Sequence, residues 1–387
     1  GAGKTTLLDH LLRRRGGRRV ALIVNDMSEV NIDAELLRAG GALSRTEETL
    51  VEMTDGCICC TLRDDLLSEV RRLAEARRFD HLLIESTGIS EPLPVAASFA
   101  FRDASGRSLS DVARLGAMTT VVDAARLPLD YASPDFLRDR GESAGPGDRR
   151  ALSALLAEQI EVADLVILNK ARDAGPERLA ETRRIVRGLN AGARLIEADH
   201  ARIDPELLYA APPFDFERAH DHPLWRRELE GVEAPVSETE EYGIESVVWR
   251  ARRPLDPARF RAVLERPMPG VLRAKGRFWL ATRPAWAGDL SIAGPAVETR
   301  AGGVWWAAVP PARWPQDPDL RAAIADRWDP VFGDRRQEIV LIGLAGAMRA
   351  DRILAALDAC LLDAPAFSPE RWAALPDPFP AWDPPGA

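Results

Sequence analysis

The sequence predicts an α/β protein whose first half is a parallel sheet layered with helices and whose second half is a smaller α+β domain. Three observations predict it. Short β-branched apolar runs alternate with amphipathic helical spacing through the first half, the pattern of successive βα units. Strand-like runs dominate the second half, with few helical stretches between them. All ten tryptophans lie at or beyond Trp225, so composition changes between the halves. At 387 residues the chain has room for two or three domains.

In chain order, the first half places strands at 20–24, 81–84, 118–122, 165–168 and 194–197, with helical spacing at 61–76 and 148–160. A stretch rich in Gly, Pro and Ser at 133–147 reads as a loop insertion. Residues 212–240 turn acidic and proline-containing and read as a connection, which sets the domains at 1–211 and 241–365. The second domain places strands at 244–249, 271–281, 304–309 and 338–342 and helices at 257–265 and 351–362. A Pro-rich tail, 366–387, reads as irregular.

With 46% hydrophobic residues, 29% charged residues and a net charge of −9, the chain reads as globular and mildly acidic. No apolar run reaches the ~18 to 20 residues of a membrane span, and the first residues lack the parts of a signal peptide. A cytoplasmic protein without a membrane partner is expected. Basic residues are scattered, so the concentrated positive charge that nucleic acid requires is missing. Four cysteines exclude a disulfide scaffold, and three of them crowd together as Cys57, Cys59 and Cys60. Of 51 Lys plus Arg, only Lys4, Lys170 and Lys275 are lysine. Where arginine serves as the general cation, a retained lysine marks a place that needs a compact ammonium.

The chain opens Gly1-Ala2-Gly3-Lys4-Thr5-Thr6, the back half of G-x-x-x-x-G-K-[ST], and runs straight into helical sequence. Every part of such a motif serves phosphate binding. Backbone N–H groups and the helix N-terminus cradle phosphate, Lys4 reaches the β- and γ-phosphates, and Thr5 and Thr6 follow, with Thr5 ligating Mg²⁺. The motif's first glycine, and the strand that precedes such a loop, would lie upstream of Gly1. The sequence is therefore expected to be a piece lacking the first strand of a P-loop sheet. At the next strand end stands Glu85-Ser86-Thr87-Gly88, an acid for the Mg²⁺ shell or its water and a glycine N–H able to sense a γ-phosphate. Asn169-Lys170 follows another apolar strand in the manner of a guanine loop, with asparagine bracing the P-loop and the lysine stem lying along a purine face.

These motifs resemble those of the CobW-like GTPases, which act as metal chaperones or metal-insertion proteins. The resemblance rests on Gly1 to Leu8, on Val24-Asn25-Asp26-Met27-Ser28-Glu29-Val30-Asn31-Ile32-Asp33, on Gly56-Cys57-Ile58-Cys59-Cys60-Thr61-Leu62-Arg63 and on Glu85-Ser86-Thr87-Gly88-Ile89-Ser90-Glu91-Pro92. It continues through Glu240-Glu241-Tyr242-Gly243-Ile244, Arg273-Ala274-Lys275-Gly276 and Gly333-Asp334-Arg335-Arg336-Gln337-Glu338. The second domain thus resembles the family's C-terminal domain, and the N-D-M-S-E-V-N-I-D wording resembles the branch linked to zinc limitation. The resemblance implies GTP and Mg²⁺ as cofactors, Lys4 and Glu85 as catalytic residues, and a client metalloprotein as partner, with self-association left open. The family's N-K-x-D motif is broken here, since Arg172 stands where the base-reading aspartate belongs and Asp173 follows one place later, a nucleotide-binding candidate that reaches the base only if the loop bulges. The histidine-rich loop of many relatives is missing too: the chain has five histidines, of which only His220 and His222 are close together.

Cys57, Cys59 and Cys60 precede a predicted helix, whose N-terminus favours the thiolate that binds metal. Adjacent Cys59 and Cys60 point different ways in most backbones, so further ligands are needed. By resemblance Glu29 is the best of these and Asp26 a weaker one. Thiolates with a carboxylate suit Zn²⁺ and also admit Co²⁺. A redox thiol and plain buried cysteines remain alternatives. Cys360, in an apolar helical run, reads as core. In Trp305-Trp306 both rings cannot lie on one face of a strand, so one is available for exposure. The function read from all this is a GTPase that binds a transition metal, Zn²⁺ first, at the C-x-C-C motif and delivers it to a client. The alternatives are a metal buffer with vestigial turnover and a P-loop phosphotransferase.

Overall fold

The structure, a computed structural model, describes residues 1–25, 50–53, 63–86, 88–100, 102, 106–141, 148–215 and 243–382. The chain divides into two compact units, Gly1–His222 and Pro223–Ala387.

The described elements of the first unit are α1 (Lys4–Arg13), β1 (Val20–Asn25), β2 (Leu50–Met53), α2 (Arg63–Glu75), β3 (His81–Glu85), α3 (Pro92–Ala100), β4 (Thr119–Asp123), α4 (Leu127–Tyr131), α5 (Leu152–Glu161), β5 (Leu165–Asn169), α6 (Ala171–Leu189), β6 (Arg194–Ala198) and α7 (Glu206–Tyr209). They form two parallel sheets, ordered β2-β1-β3 and β4-β5-β6. From Val20 to Val24, strand β1 is an unbroken apolar run because both of its faces are covered. Val20, Leu22 and Val24 share one cluster with Leu7, Leu8, Leu11 and Leu12 of α1 and with Leu165 and Ile167 of β5. Ala21 and Ile23 meet Val70 and Leu73 of α2 and Val95 and Phe99 of α3 on the other side. Each such buried Val, Leu, Ile or Phe side chain contributes about 1.5–3 kcal/mol. Helix α1 therefore belongs to the cores of both sheets, and its N-terminus is held accordingly. Between the outer strands β3 and β4 lies a cavity of about 540 Å³, walled in part by Leu8, Leu11, Leu83, Val121 and Tyr209. Among the described residues the strand edge on either side of it is unpaired, the kind of edge a further strand pairs with.

The described residues of the second unit form a five-stranded antiparallel sheet ordered β10-β9-β8-β11-β7. Its described helices and strands are β7 (Ile244–Ala251), α8 (Pro257–Leu264), β8 (Val271–Phe278), β9 (Trp286–Ala293), β10 (Ala296–Val304), α9 (Pro318–Ala325), β11 (Gln337–Leu344), α10 (Ala350–Asp358) and α11 (Pro369–Trp372). Asp256 starts α8 by accepting the Arg259 N–H at 3.0 Å, and Pro257 supplies the fixed φ of a first helical turn. Phe260, Leu264, Leu357 and Cys360 then pack on Phe278, Ile339 and Leu341 of the sheet.

Three expectations are revised here. No strand spans 304–309: the Asp334 carboxylate accepts both the Trp306 and Ala307 N–H groups, at 3.0 and 2.9 Å, and curls Trp306–Ala308 into a 3-10 turn. Trp305 is buried, and Trp306 is half-buried against Trp314, whose ring in turn meets Trp328. Within 133–147, Leu137–Arg140 is an ordered 3-10 turn that puts Leu137 under Ile89 and Leu155. The Pro-rich tail has little regular structure but is packed, with Trp372 and Phe379 buried and Asp377 bound to Arg283 and Thr282.

Candidate functional site

Gly3 makes the turn into α1 at φ 105°, a left-handed conformation open to glycine. Space forbids a side chain as well, since a Cβ on Gly3 would stand 2.4 Å from Asn169 Nδ2. The Leu7 N–H returns to the Gly3 carbonyl at 3.0 Å. The first N–H groups of any α-helix precede the intrahelical carbonyls, and this first turn contains no acidic residue. Backbone donors and helix dipole thus converge on a place suited to an anion.

Lys4 begins the helix and reaches the other strand end. A Cβ on Gly88 would lie 3.3 Å from Lys4 Nζ, so this ammonium rests against the turn that leaves β3. At the end of that strand, opposite Val24 of β1, Glu85 is only 6% exposed. The turn is held from behind by two residues that the sequence motifs do not name. Gln159 of α5 donates to the Gly88 and Ser90 carbonyls at 2.9 and 3.1 Å. Arg150 donates to the Ile89 carbonyl at 2.9 Å and pairs with Asp148 at 2.8 Å. Their signal in the sequence is faint, because nothing local ties residues 150 and 159 to 88–90.

Asn169, 2% exposed, bridges two loops. Its amide donates to the Ala2 carbonyl at 2.8 Å, and its oxygen accepts the Ala201 N–H at 2.8 Å. Lys170 adopts a left-handed φ of 60° and pairs with Asp123 at the end of β4 at 2.5 Å. Asp173 is exposed on the first turn of α6, which kinks at Gly175 with φ 69°. Beside that turn, at the carboxyl ends of β5 and β6, is a second cavity of about 500 Å³, walled in part by Ala171, Arg172, Ala198, Asp199 and His200. Ligands of open parallel α/β sheets bind at carboxyl strand ends. Asp123 and Asp199 were missed by motif reading, although each is an acid at or just beyond a strand end.

Asp26, Glu29, Cys57, Cys59, Cys60, Thr87, His220 and His222 lie outside the described residues. Among the described residues there is no group of three or more His, Cys, Asp or Glu placed to hold a metal. Cys360 is 1% exposed, donates to the Ala356 carbonyl, and has its thiol pushed up to about 11 by burial and by neighbouring Asp256. The described residues contain no helix long and apolar enough to cross a membrane.

Comparison with known proteins gives matches for both halves of the chain. Residues 1–197 match the nucleotide-binding domain of CobW, HypB and UreG, and residues 244–361 match the C-terminal domain of the cobalamin synthesis protein CobW. A zinc-regulated GTPase metalloprotein activator of Dictyostelium discoideum is 41% identical over 373 residues, covering 94% of this chain and 78% of its own length. A protein named a zinc chaperone in Mycobacterium tuberculosis is 32% identical over 357 residues, covering 88% of this chain and 82% of its own. A crystal structure of Zn(II)-bound YjiA GTPase from E. coli aligns over 94% of this chain and 96% of that one, at 19% identity and a TM-score of 0.37. By the family match over its first half and the extended similarity to the Dictyostelium protein, the chain belongs to the CobW/HypB/UreG family of nucleotide-binding proteins and carries the CobW C-terminal domain.

Proposed function

We propose that this chain hydrolyses GTP and uses the cycle to hold a transition-metal ion, Zn²⁺, and release it to a client metalloprotein. The observation that carries the reading is the contact between Lys4, at the start of the phosphate-facing helix, and Gly88, in the turn that follows Glu85. Gly1, Ala2 and Gly3 and the first turn of α1 would receive the phosphates, with Lys4 countering charge on the β- and γ-groups. Water attacks the γ-phosphorus and GDP leaves, a reaction served mainly by positioned charge. The hydroxyl of Thr5 and the carboxylate of Glu85 are hard oxygen donors of the kind Mg²⁺ takes, and Mg²⁺ would supply charge neutralisation between the phosphates. Asn169 would brace the phosphate loop through Ala2, and the stem of Lys170, paired with Asp123, would lie along the purine face.

The cargo site is assigned to Cys57, Cys59 and Cys60 with Glu29. Those cysteines fall between the two phosphate motifs in sequence, and Glu29 belongs to the 26–33 segment that follows β1. A γ-phosphate that orders this segment would also set the ligand geometry, and its loss would remodel the site. The zinc named for the relatives supports Zn²⁺ as cargo. The test is competition with a zinc chelator in the presence of GDP and of a non-hydrolysable GTP analogue, alongside GTP turnover with and without Zn²⁺. The expected result is measurable turnover and a zinc affinity that differs between nucleotide states by roughly 5- to 150-fold. Equal affinities would reduce the protein to a metal buffer, and phosphate transfer to a metabolite would make it a phosphotransferase.

A further inference from the structure

The family's base-reading motif has lost its aspartate to Arg172, and the structure shows where that arginine goes. The Arg172 backbone N–H donates to Asp199 Oδ1 at 3.0 Å, and its guanidinium pairs with Asp199 Oδ2 at 3.1 Å. Both residues wall the cavity at the carboxyl ends of β5 and β6, whereas Asp173 is not among its walls. Asp199 has a side chain 27% exposed, in contrast to Arg172 at 88%. The turn that holds it is built and fixed. His200 and Ala201 are consecutive non-glycine residues at φ 53° and 52°, a strained conformation that persists only where surroundings enforce it. The enforcing contact is Asn169, whose oxygen takes the Ala201 N–H while its amide holds Ala2 of the phosphate loop. The carboxylate is thereby tied, through one buried asparagine, to the loop that receives phosphate.

We propose that Asp199 is the carboxylate that reads the base, that the base is guanine, and that Arg172 is its positioning residue; this rests on the GTPase reading above. Guanine presents two adjacent donors, N1–H and the N2 amino group, to which an acceptor-only carboxylate is complementary. Adenine turns an unprotonated N1 toward the same place and is repelled. A carboxylate has about four lone-pair sites, two on each oxygen. Arg172 takes one on each, which leaves one on each for guanine. The acid has in effect moved from the strand-five side of the pocket to the strand-six side, with the arginine in its former position.

The test is Asp199→Asn beside Asp173→Asn, with affinities for GDP, IDP, XDP and ADP measured by calorimetry. Asparagine exchanges one acceptor for a donor, which suits xanthine, with N1–H next to a C2 carbonyl. Asp199→Asn is expected to weaken GDP by roughly 10- to 100-fold, to raise XDP above GDP, and to flatten the GDP to IDP ratio that reports the N2 amino group. Should that variant fail to fold by circular dichroism, Arg172→Ala, at a highly exposed side chain, answers the same question through its GDP to IDP ratio, which should fall towards one. A switch to XDP in Asp173→Asn, or an unchanged ratio in both pocket variants, overturns the assignment of Asp199 and leaves the GTPase reading in place. A wild-type protein that binds ADP as well as GDP defeats the GTPase reading itself, whichever aspartate is altered.

Discussion

Lys4 and Gly88 stand so close that a methyl group on the glycine would lie 3.3 Å from the lysine ammonium. The contact joins the start of α1 to the turn after β3, the two segments between which a γ-phosphate would sit. Lys4→Ala removes the one compact cation of this junction. Its side chain is not part of the leucine core of α1, so the fold should survive. GTP turnover is expected to fall by at least ~100-fold with an unchanged thermal melt; turnover near wild type would take the phosphate loop out of the mechanism.

Asn169→Ala should act on stability and affinity together. It deprives the Ala201 N–H and the Ala2 carbonyl of their partner, and an unsatisfied buried group costs about 1–3 kcal/mol. A drop of that size in urea unfolding, accompanied by weaker GDP binding, is the expected outcome. A change in stability with affinity untouched would show that the bridge does not shape the nucleotide site.

For the cargo site, the double replacement Cys59→Ser with Cys60→Ser should abolish tight zinc binding and its dependence on nucleotide, while GDP still binds. Serine oxygens are poorer ligands for zinc than thiolates. Retained tight binding, read by chelator competition, would move the site away from the C-x-C-C motif. Cys360 provides an internal control. With its thiol raised to about 11 it should remain unalkylated by iodoacetamide at pH 8 until the protein is denatured.

The tail gives a prediction in pH. Burial pushes Asp377 upward, but hydrogen bonds from Arg283 and Thr282 outweigh it and hold the carboxyl below its ordinary value. A carboxyl depressed by folding stabilises above the unfolded titration near pH ~4, and that stabilisation is lost as pH falls through the folded value. Asp377→Asn should therefore cost about 1 kcal/mol or more at pH 7, and the gap to wild type should narrow below pH ~4. A gap constant from pH 7 to pH 3 would mean that the charge contributes nothing.

Much of the first unit was legible because its strands are buried on both faces and spell their positions in apolar residues. Val20 to Val24 and Leu165 to Leu168 are of this kind. The β9–β10 hairpin was not, for a physical reason. Gly288 stands where a Cβ would meet the Phe278 ring at 2.5 Å, and Gly302 where one would meet the Asp289 carboxyl at 2.2 Å. Close approach thus selects glycine in strands that would otherwise carry β-branched residues, and the pattern fades. Gly333 to Glu338 stood out by resemblance, but its work is structural. Asp334 caps the 306–308 turn, Arg335 donates to the Pro284 and Phe332 carbonyls, and Gln337 bonds to the backbone of Trp279 and Arg253. In the candidate site, Gly3, Lys4 and Asn169 were singled out by motif spacing. Asp199, Gln159 and Arg150 were not, since their partners are distant in sequence.

Because α1 contributes the same four leucines to the cluster that contains both β1 and β5, it works as a rivet through two plates. A ligand gripping the head of the rivet tightens both. Phosphate held at the first turn of α1 should slow amide hydrogen exchange in β1 and in β5 by a common factor, although the two strands belong to different sheets. Loss of the ligand would then loosen both strands at once, and a protease would meet a single cooperative opening there instead of two local ones.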